Sequence, residues 1–245
     1  MDQIRSIFAR VKRHPARKEE PPHEDSGSEK RTQAGAADEW AMSTSQHIGN
    51  ATYGLSCIPT ITANLSQITS LPGIKSIPGL NLGASLIESY NCVKHARSDD
   101  HMMAANSAAN ATSCFAEAAQ ETATLSLLFP DKVGRVLGKA AGEVLAVGQV
   151  FGIIGGSIAL GLGVCELREA ARIEDSMGKA GTARAVDASR VKKTRAFGYL
   201  DVLSGAAVNA GILSAVSGMP TLGAALLITS AVADIGSLGV WYFMK

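Results

Sequence analysis

The stretch VLSGAAVNAGILSAVSGMPTLGAALLITSAVA, Val202 to Ala233, carries no charged residue and is too long for one simple membrane span. Gly218-Met219-Pro220 interrupts it, and glycine and proline are the strongest punctuation of a helical run. The stretch therefore predicts two apolar helices, over 202–217 and 221–244, joined by a tight turn. Trp241 and Tyr242, close to Lys245, end the second helix as interfacial aromatics and a snorkelling lysine do at a membrane surface. Asp234 is the acid of this region, and an ionised carboxylate at membrane depth costs at least about 3 kcal/mol on insertion scales. It needs a partner, a cavity or the interface. Folding the pair about Met219 brings Ser204 opposite Asp234, with Asn209 about a turn away. The fold class that follows is all-α: a membrane-associated helical protein with a C-terminal transmembrane hairpin, a bilobed hydrophobic segment over 202–245.

Working upstream, residues 166–201 form a charged helical linker. Arg190, Lys192, Lys193 and Arg195 cluster just before the next apolar run, as basic residues do on the cytoplasmic side of a span. Before the linker, Val144 to Cys165 is again free of charge. At about 1.5 Å per residue it is long enough to cross a hydrocarbon core of about 30 Å. Gly134, Gly138 and Gly142 are spaced by four residues, and Gly148, Gly152 and Gly156 repeat the spacing. Each glycine costs roughly 1 kcal/mol relative to alanine in a soluble helix. So many on one helical face point to close backbone packing between membrane helices. Residues 131–165 are accordingly a glycine-rich helix and a third candidate span, with self-association a role for its glycines.

The composition suits this reading. The chain has 245 residues, of which 46% are hydrophobic, only 5% aromatic and 18% charged. About a quarter charged is usual for a soluble domain. Small side chains bury little area each, but they let helices approach closely inside a bilayer. A net charge of +1 excludes strong whole-protein attraction to nucleic acid. Cys57, Cys92, Cys114 and Cys165 form no CxxC pair and read as free thiols of a reducing compartment.

Toward the N-terminus, residues 48–130 are an alanine-rich helical region. SLPGI at 70–74 and SIPGL at 76–80, an internal echo within 48–82, are two type II turn signals, which suggest a bent connector between helices. Helices follow at 83–97 and 100–129; Pro130 ends the second, and Asp131 is placed to cap the next. Residues 1–47 form a basic tail. Ile4, Ile7, Phe8 and Val11 lie at helical spacing among Arg5, Arg10, Lys12 and Arg13, which fits either a membrane-surface or secretion element or a frayed solvated end. Residues 14–39 have the composition of disorder. The sequons at Asn50, Asn64 and Asn110 read as chance matches, because the first residues are not a cleavable signal.

No active site is legible. Gly134 to Lys139 has three residues between its glycines where a phosphate loop needs four, and no Ser or Thr follows to hold magnesium. HExxH and GxSxG are absent, the histidines are scattered, and Cys92 with His95 lacks a third, orienting group. The expectation is a non-enzymatic chain with no catalytic residues, no cofactor, no metal and no nucleic-acid partner.

Two segments, GGSIALGLGVCELREAARIEDS (155–176) and VSGMPTLGAALLITSAVADIGSLGVWYF (216–243), resemble the chlamydial inclusion membrane proteins, with a fainter likeness over 99–142 and none over 1–80. The resemblance implies a type III-secreted effector with an uncleaved N-terminal signal. It would sit in the membrane of the vacuole that houses the bacterium, with its hydrophilic parts toward host cytosol. The family is marked by a bilobed hydrophobic hairpin, and the third span at 144–165 departs from that pattern. The leading expectation is a membrane-inserted effector or scaffold in contact with membrane lipid and with host or bacterial proteins. The rivals are a transporter or pore component, with Asp234, Gln149 and Asn209 on its path, and a soluble alanine-rich helical effector.

Overall fold

The structure is a computed structural model that describes residues 44–69, 79–98, 100–128, 134–138, 140–180 and 185–244. The basic tail, the first proline–glycine turn and Lys245 lie outside the described residues. Every extended element among the described residues is a helix: α1 (Thr44–Ile68), α2 (Leu80–Arg97), α3 (His101–Leu128), α4 (Ala140–Ala180), α5 (Ala185–Val216) and α6 (Pro220–Phe243), with a single turn at Arg135–Leu137 before α4.

The helices form an up-and-down ring. Each packs against its neighbours in sequence, and α6 closes the ring on α1. The residues in contact show that every neighbouring pair is antiparallel. Ser85 meets Ala111 while Asn81 meets Glu121 between α2 and α3. Ser204 meets Ser230 while Ser237 meets Asp201 between α5 and α6. Tyr53 meets Asp234 while His47 meets Tyr242 between α1 and α6. Three of the six, α4, α5 and α6, contain stretches long and apolar enough to cross a membrane.

The ends of the helices follow from local chemistry. Gly79, with φ +83° and ψ −6°, takes the second central position that a type II turn reserves for glycine, and α2 starts immediately after it. Asp100 accepts the Met103 amide at 3.2 Å and so caps α3. Between α5 and α6 the Gly218 amide bonds the Ala215 carbonyl and the Met219 amide bonds that of Ser214, with Gly218 at φ +83°. This is a Schellman end, and Pro220 then opens α6 at a position where its missing N–H costs nothing.

Two sequence readings gain detail and one needs correction. The region read as helical after position 48 opens with α1, which occupies Thr44–Ile68 with Pro59 inside it and ends before the two proline–glycine signals. The charged stretch over 166–201 is helical in its described residues, which belong to α4 as far as Ala180 and to α5 from Ala185, as continuations of the apolar helices. Finally, Gly134, Gly138 and Gly142 do not share one helical face. Gly138 adopts φ +49° and breaks the chain after the turn at Arg135–Leu137. A Cβ on Gly138 or Gly142 would meet nothing within 4 Å.

The other glycines do what their spacing suggests, but within the chain. A Cβ on Gly148 would lie 2.7 Å from Ala119 of α3, and one on Gly152 would lie 2.6 Å from Ile212 of α5. One on Gly156 would meet Asn209 and the Gly205 carbonyl of α5. Glycines also face glycines. A Cβ on Gly163 would be 2.6 Å from the Gly198 carbonyl oxygen, and one on Gly223 would be 2.8 Å from that of Gly211. These backbones touch because side chains are missing on both sides.

Candidate functional site

The ring is inverted relative to a water-soluble protein. Its largest fully buried side chains are Gln46, Glu88, Asn81, Asn91, Cys114 and Ser107, while Leu55, Leu86, Tyr90, Val150, Leu213 and Val232 stand exposed on the outside. Soluble domains do the opposite, and Glu in particular is almost never fully buried unless paired.

The inversion is built into α1. Gln46, Asn50, Tyr53, Cys57, Thr60 and Asn64 follow one another at alternating steps of four and three, so they lie on one face. That face turns inward, and Ile48, Leu55, Ile58, Leu65 and Ile68 turn out. Helix α2 repeats the pattern, with Asn81, Ser85, Glu88 and Asn91 inward and Leu82, Leu86, Tyr90 and Val93 outward. The result is a polar column along the inside of the ring.

At one end His95 places Nε2 2.9 Å from the Gln46 Oε1, and the Gln46 Nε2 donates to Asn50 at 3.3 Å. The His95 Nδ1 looks out toward the Asp100 carboxylate at 3.8 Å. Two turns further along α2 sits Glu88, 0% exposed, with neither carboxylate oxygen in a well-formed hydrogen bond. The side chains of Ser107 and Asn91 lie beside it. Gly49 makes the room: a Cβ there would overlap the Glu88 carboxylate.

In the middle, the Tyr53 hydroxyl donates to the Asp234 carboxylate at 2.7 Å. Ser204 faces the same carboxylate and shares a 3.0 Å hydrogen bond with Ser230. Tyr53, Cys57, Ala84, Cys114 and Ala231 pack together here and close the interior. Beyond them Thr60 donates to Glu117, and Asn81 donates to Glu121 at 2.6 Å. To one side, Ser237 donates to Asp201 at 3.3 Å, and Glu166 faces Asp201 with one oxygen buried and unpartnered. Among the described residues no Lys or Arg forms an ion pair with Glu88, Glu117, Asp201 or Asp234.

The sequence-derived site residues distribute unevenly over this column. Asp234 and Ser204 come together as expected. Asn209 does not join them: five residues past Ser204 it has turned to another face of α5, where its amide donates to Ser157 of α4 at 3.3 Å. Trp241 is half-buried, its ring 5.2 Å from that of Phe197 and the Lys193 ammonium 5.3 Å from its centroid. The Tyr242 hydroxyl lies 3.3 Å from the His47 Nδ1. Gly148, Gly152 and Gly156 support the site by seating α4 between α3 and α5. Cys92 and His95 make no dyad, since both ring nitrogens of His95 face other groups. All four cysteines are free thiols, Cys57 and Cys114 buried.

Sequence reading missed Tyr53, Glu88 and Glu117. The signal was present as polar residues at the spacing normally searched for apolar ones. No protein-family model matches this chain, and no curated protein or solved structure is significantly similar to it. The geometry of the column therefore stands alone as evidence of what the ring does.

Proposed function

We propose that this chain is a non-enzymatic integral membrane protein whose whole six-helix ring lies in a bilayer. The observation that carries the reading is the inverted polarity, with amides and carboxyls inside and Leu, Ile, Val and Tyr outside. Lipid tails are the solvent in which such an exterior costs nothing and such an interior is forced together. The lengths agree: α6 has 24 residues and α1 has 25, each about 36 Å at a rise of about 1.5 Å per residue, against a hydrocarbon core of about 30 Å.

The charged ends of α4 and α5 extend past the ring, where Arg195 pairs with Glu174 across the two helices at 2.5 Å. This watery hairpin is the surface we assign to contact with other proteins, in the manner of a scaffold or effector. Placement in the vacuole (inclusion) membrane after type III secretion rests on the sequence resemblance alone. Self-association is not assigned to Gly148, Gly152 and Gly156, which are occupied within the chain.

Alkaline carbonate washing of membranes from cells expressing the chain tests the reading. The protein is expected in the pellet, and recovery in the supernatant overturns it. Epitope detection on the vacuole membrane of infected cells tests the location separately.

A further inference from the structure

We propose that the interior column is a proton relay from one end of the ring to the other, with the Tyr53–Asp234 pair at its midpoint. The proposal rests on the ring being in a bilayer and goes beyond it.

The column is more than a cluster of acids. Glu88 is completely enclosed, and its carboxylate has the side chains of Ser107 and Asn91 beside it as donors, neither in a well-formed hydrogen bond. A structural role for a buried carboxylate calls for an opposite charge or a full set of donors, because one left unsatisfied is costly and an apolar residue of similar size would pack better. Glu88 has neither. In the column as a whole three helices each send an acid to the polar face of α1, where Glu117 and Asp234 take hydroxyl donors from Thr60 and Tyr53, and among the described residues no Lys or Arg pairs with them. Glu88 comes from α2, Glu117 from α3 and Asp234 from α6. Groups that are stable both with and without a proton are what a relay needs, and intramembrane acids facing a bundle interior are its usual parts.

The ends are equipped to exchange with water. Asp100, about half exposed, faces the Nδ1 of His95, whose Nε2 points inward to Gln46. Histidine can take a proton on one nitrogen and release one from the other. At the far end the Asn81–Glu121 bond sits beyond Glu117. Between the halves lies the packed layer of Cys57, Ala84, Cys114 and Ala231. From residue 53 to residue 60 the helix rises about 10 Å. That is too far for a direct transfer, so water must carry the proton over this distance, and Tyr53, whose hydroxyl holds Asp234 at the edge of the layer, is the last protein group before it. The chemistry is proton transfer alone. An O–H bond breaks at one group as one forms at the next, no electrons change hands, and water supplies and accepts the proton at the ends and carries it between the halves.

The test is purified full-length protein in liposomes loaded with pyranine, with a potassium diffusion potential set by valinomycin. Expected is internal acidification at least ten-fold faster than in protein-free liposomes. It should fall ten-fold or more in Asp234→Asn and Glu117→Gln, fall several-fold in Tyr53→Phe, and stay unchanged in the surface variant Glu169→Gln. Flotation and helical circular dichroism report on insertion and folding of each variant. Inserted wild-type protein that leaks protons no faster than bare liposomes overturns the relay and leaves the membrane reading intact. So does a flux that is the same in all the variants. Protein that fails to insert at all overturns both.

Discussion

The Tyr53 hydroxyl and the Asp234 carboxylate lie 2.7 Å apart although 181 positions separate them in sequence. Through this contact the first helix of the ring is fastened to the last. Removing one member leaves the other buried without its partner, which costs about 1–3 kcal/mol. Tyr53→Phe and Asp234→Asn should each lower stability in mixed-micelle SDS titration by that order. The double variant should lose less than the sum, by about 1 kcal/mol. Strictly additive losses would mean that the two groups do not touch.

The glycine pairs make a sharper prediction. At Gly163 an added methyl collides with backbone, the Gly198 carbonyl at 2.6 Å and the Val202 amide nitrogen at 2.6 Å, and neither can swing aside as a flexible side chain does. Gly163→Ala should cost about 1–3 kcal/mol. Two positions earlier, a Cβ on Gly161 would meet nothing within 4 Å, so Gly161→Ala should be neutral or gain up to about 1 kcal/mol from helix propensity. The same titration compares them. Equal effects would argue against the close approach of α4 and α5.

At the watery end the expectations reverse. The Arg195 and Glu174 side chains are 40% and 61% exposed, so their bond competes with solvent and salt. Glu174→Gln should change stability by less than about 1 kcal/mol, and the difference should shrink further as sodium chloride is raised. A loss that is large and independent of salt would place this pair out of water.

Thiol chemistry reads the ring from outside. Cys57 and Cys114 are enclosed at its centre, whereas Cys165 is exposed and Cys92 half-buried. Modification by a membrane-permeant maleimide should be at least ten-fold slower at Cys57 and Cys114 than at Cys165 in the native protein. All four should react once SDS unfolds it, as mass spectrometry of the labelled peptides can show. Rapid labelling of Cys57 without denaturant would mean that the interior is open.

The apolar helices were legible in sequence because nothing interrupts Val144–Cys165, and only Gly218-Met219-Pro220 interrupts Val202–Ala233. Helix α1 was not. Its inward residues are Gln, Asn, Tyr, Cys and Thr, its outward ones Ile and Leu, and Pro59 sits among them. A search for an apolar face to bury finds the wrong side of such a helix. The Asp234–Ser204 approach could be foreseen because a tight turn fixes the register of α5 against α6. The Tyr53 contact could not, since only closure of the ring brings α1 to α6. The glycine spacing was visible, but spacing alone does not tell a contact within the chain from one between chains, and it gave no warning of the positive φ at Gly138.

The connection Ser217-Gly218-Met219 holds no ionisable group, while the C-terminal part of α4 and the N-terminal part of α5, from Glu166 to Arg195, are dense with them. In the bilayer placement proposed above, the first would slip through a hydrocarbon layer ahead of the helices it joins, and the second would be held back where it was made. Insertion would then have a built-in direction: α5 and α6 enter tip first as one unit, and the charged helix ends behind them act as the stop that fixes which side of the bilayer each end occupies.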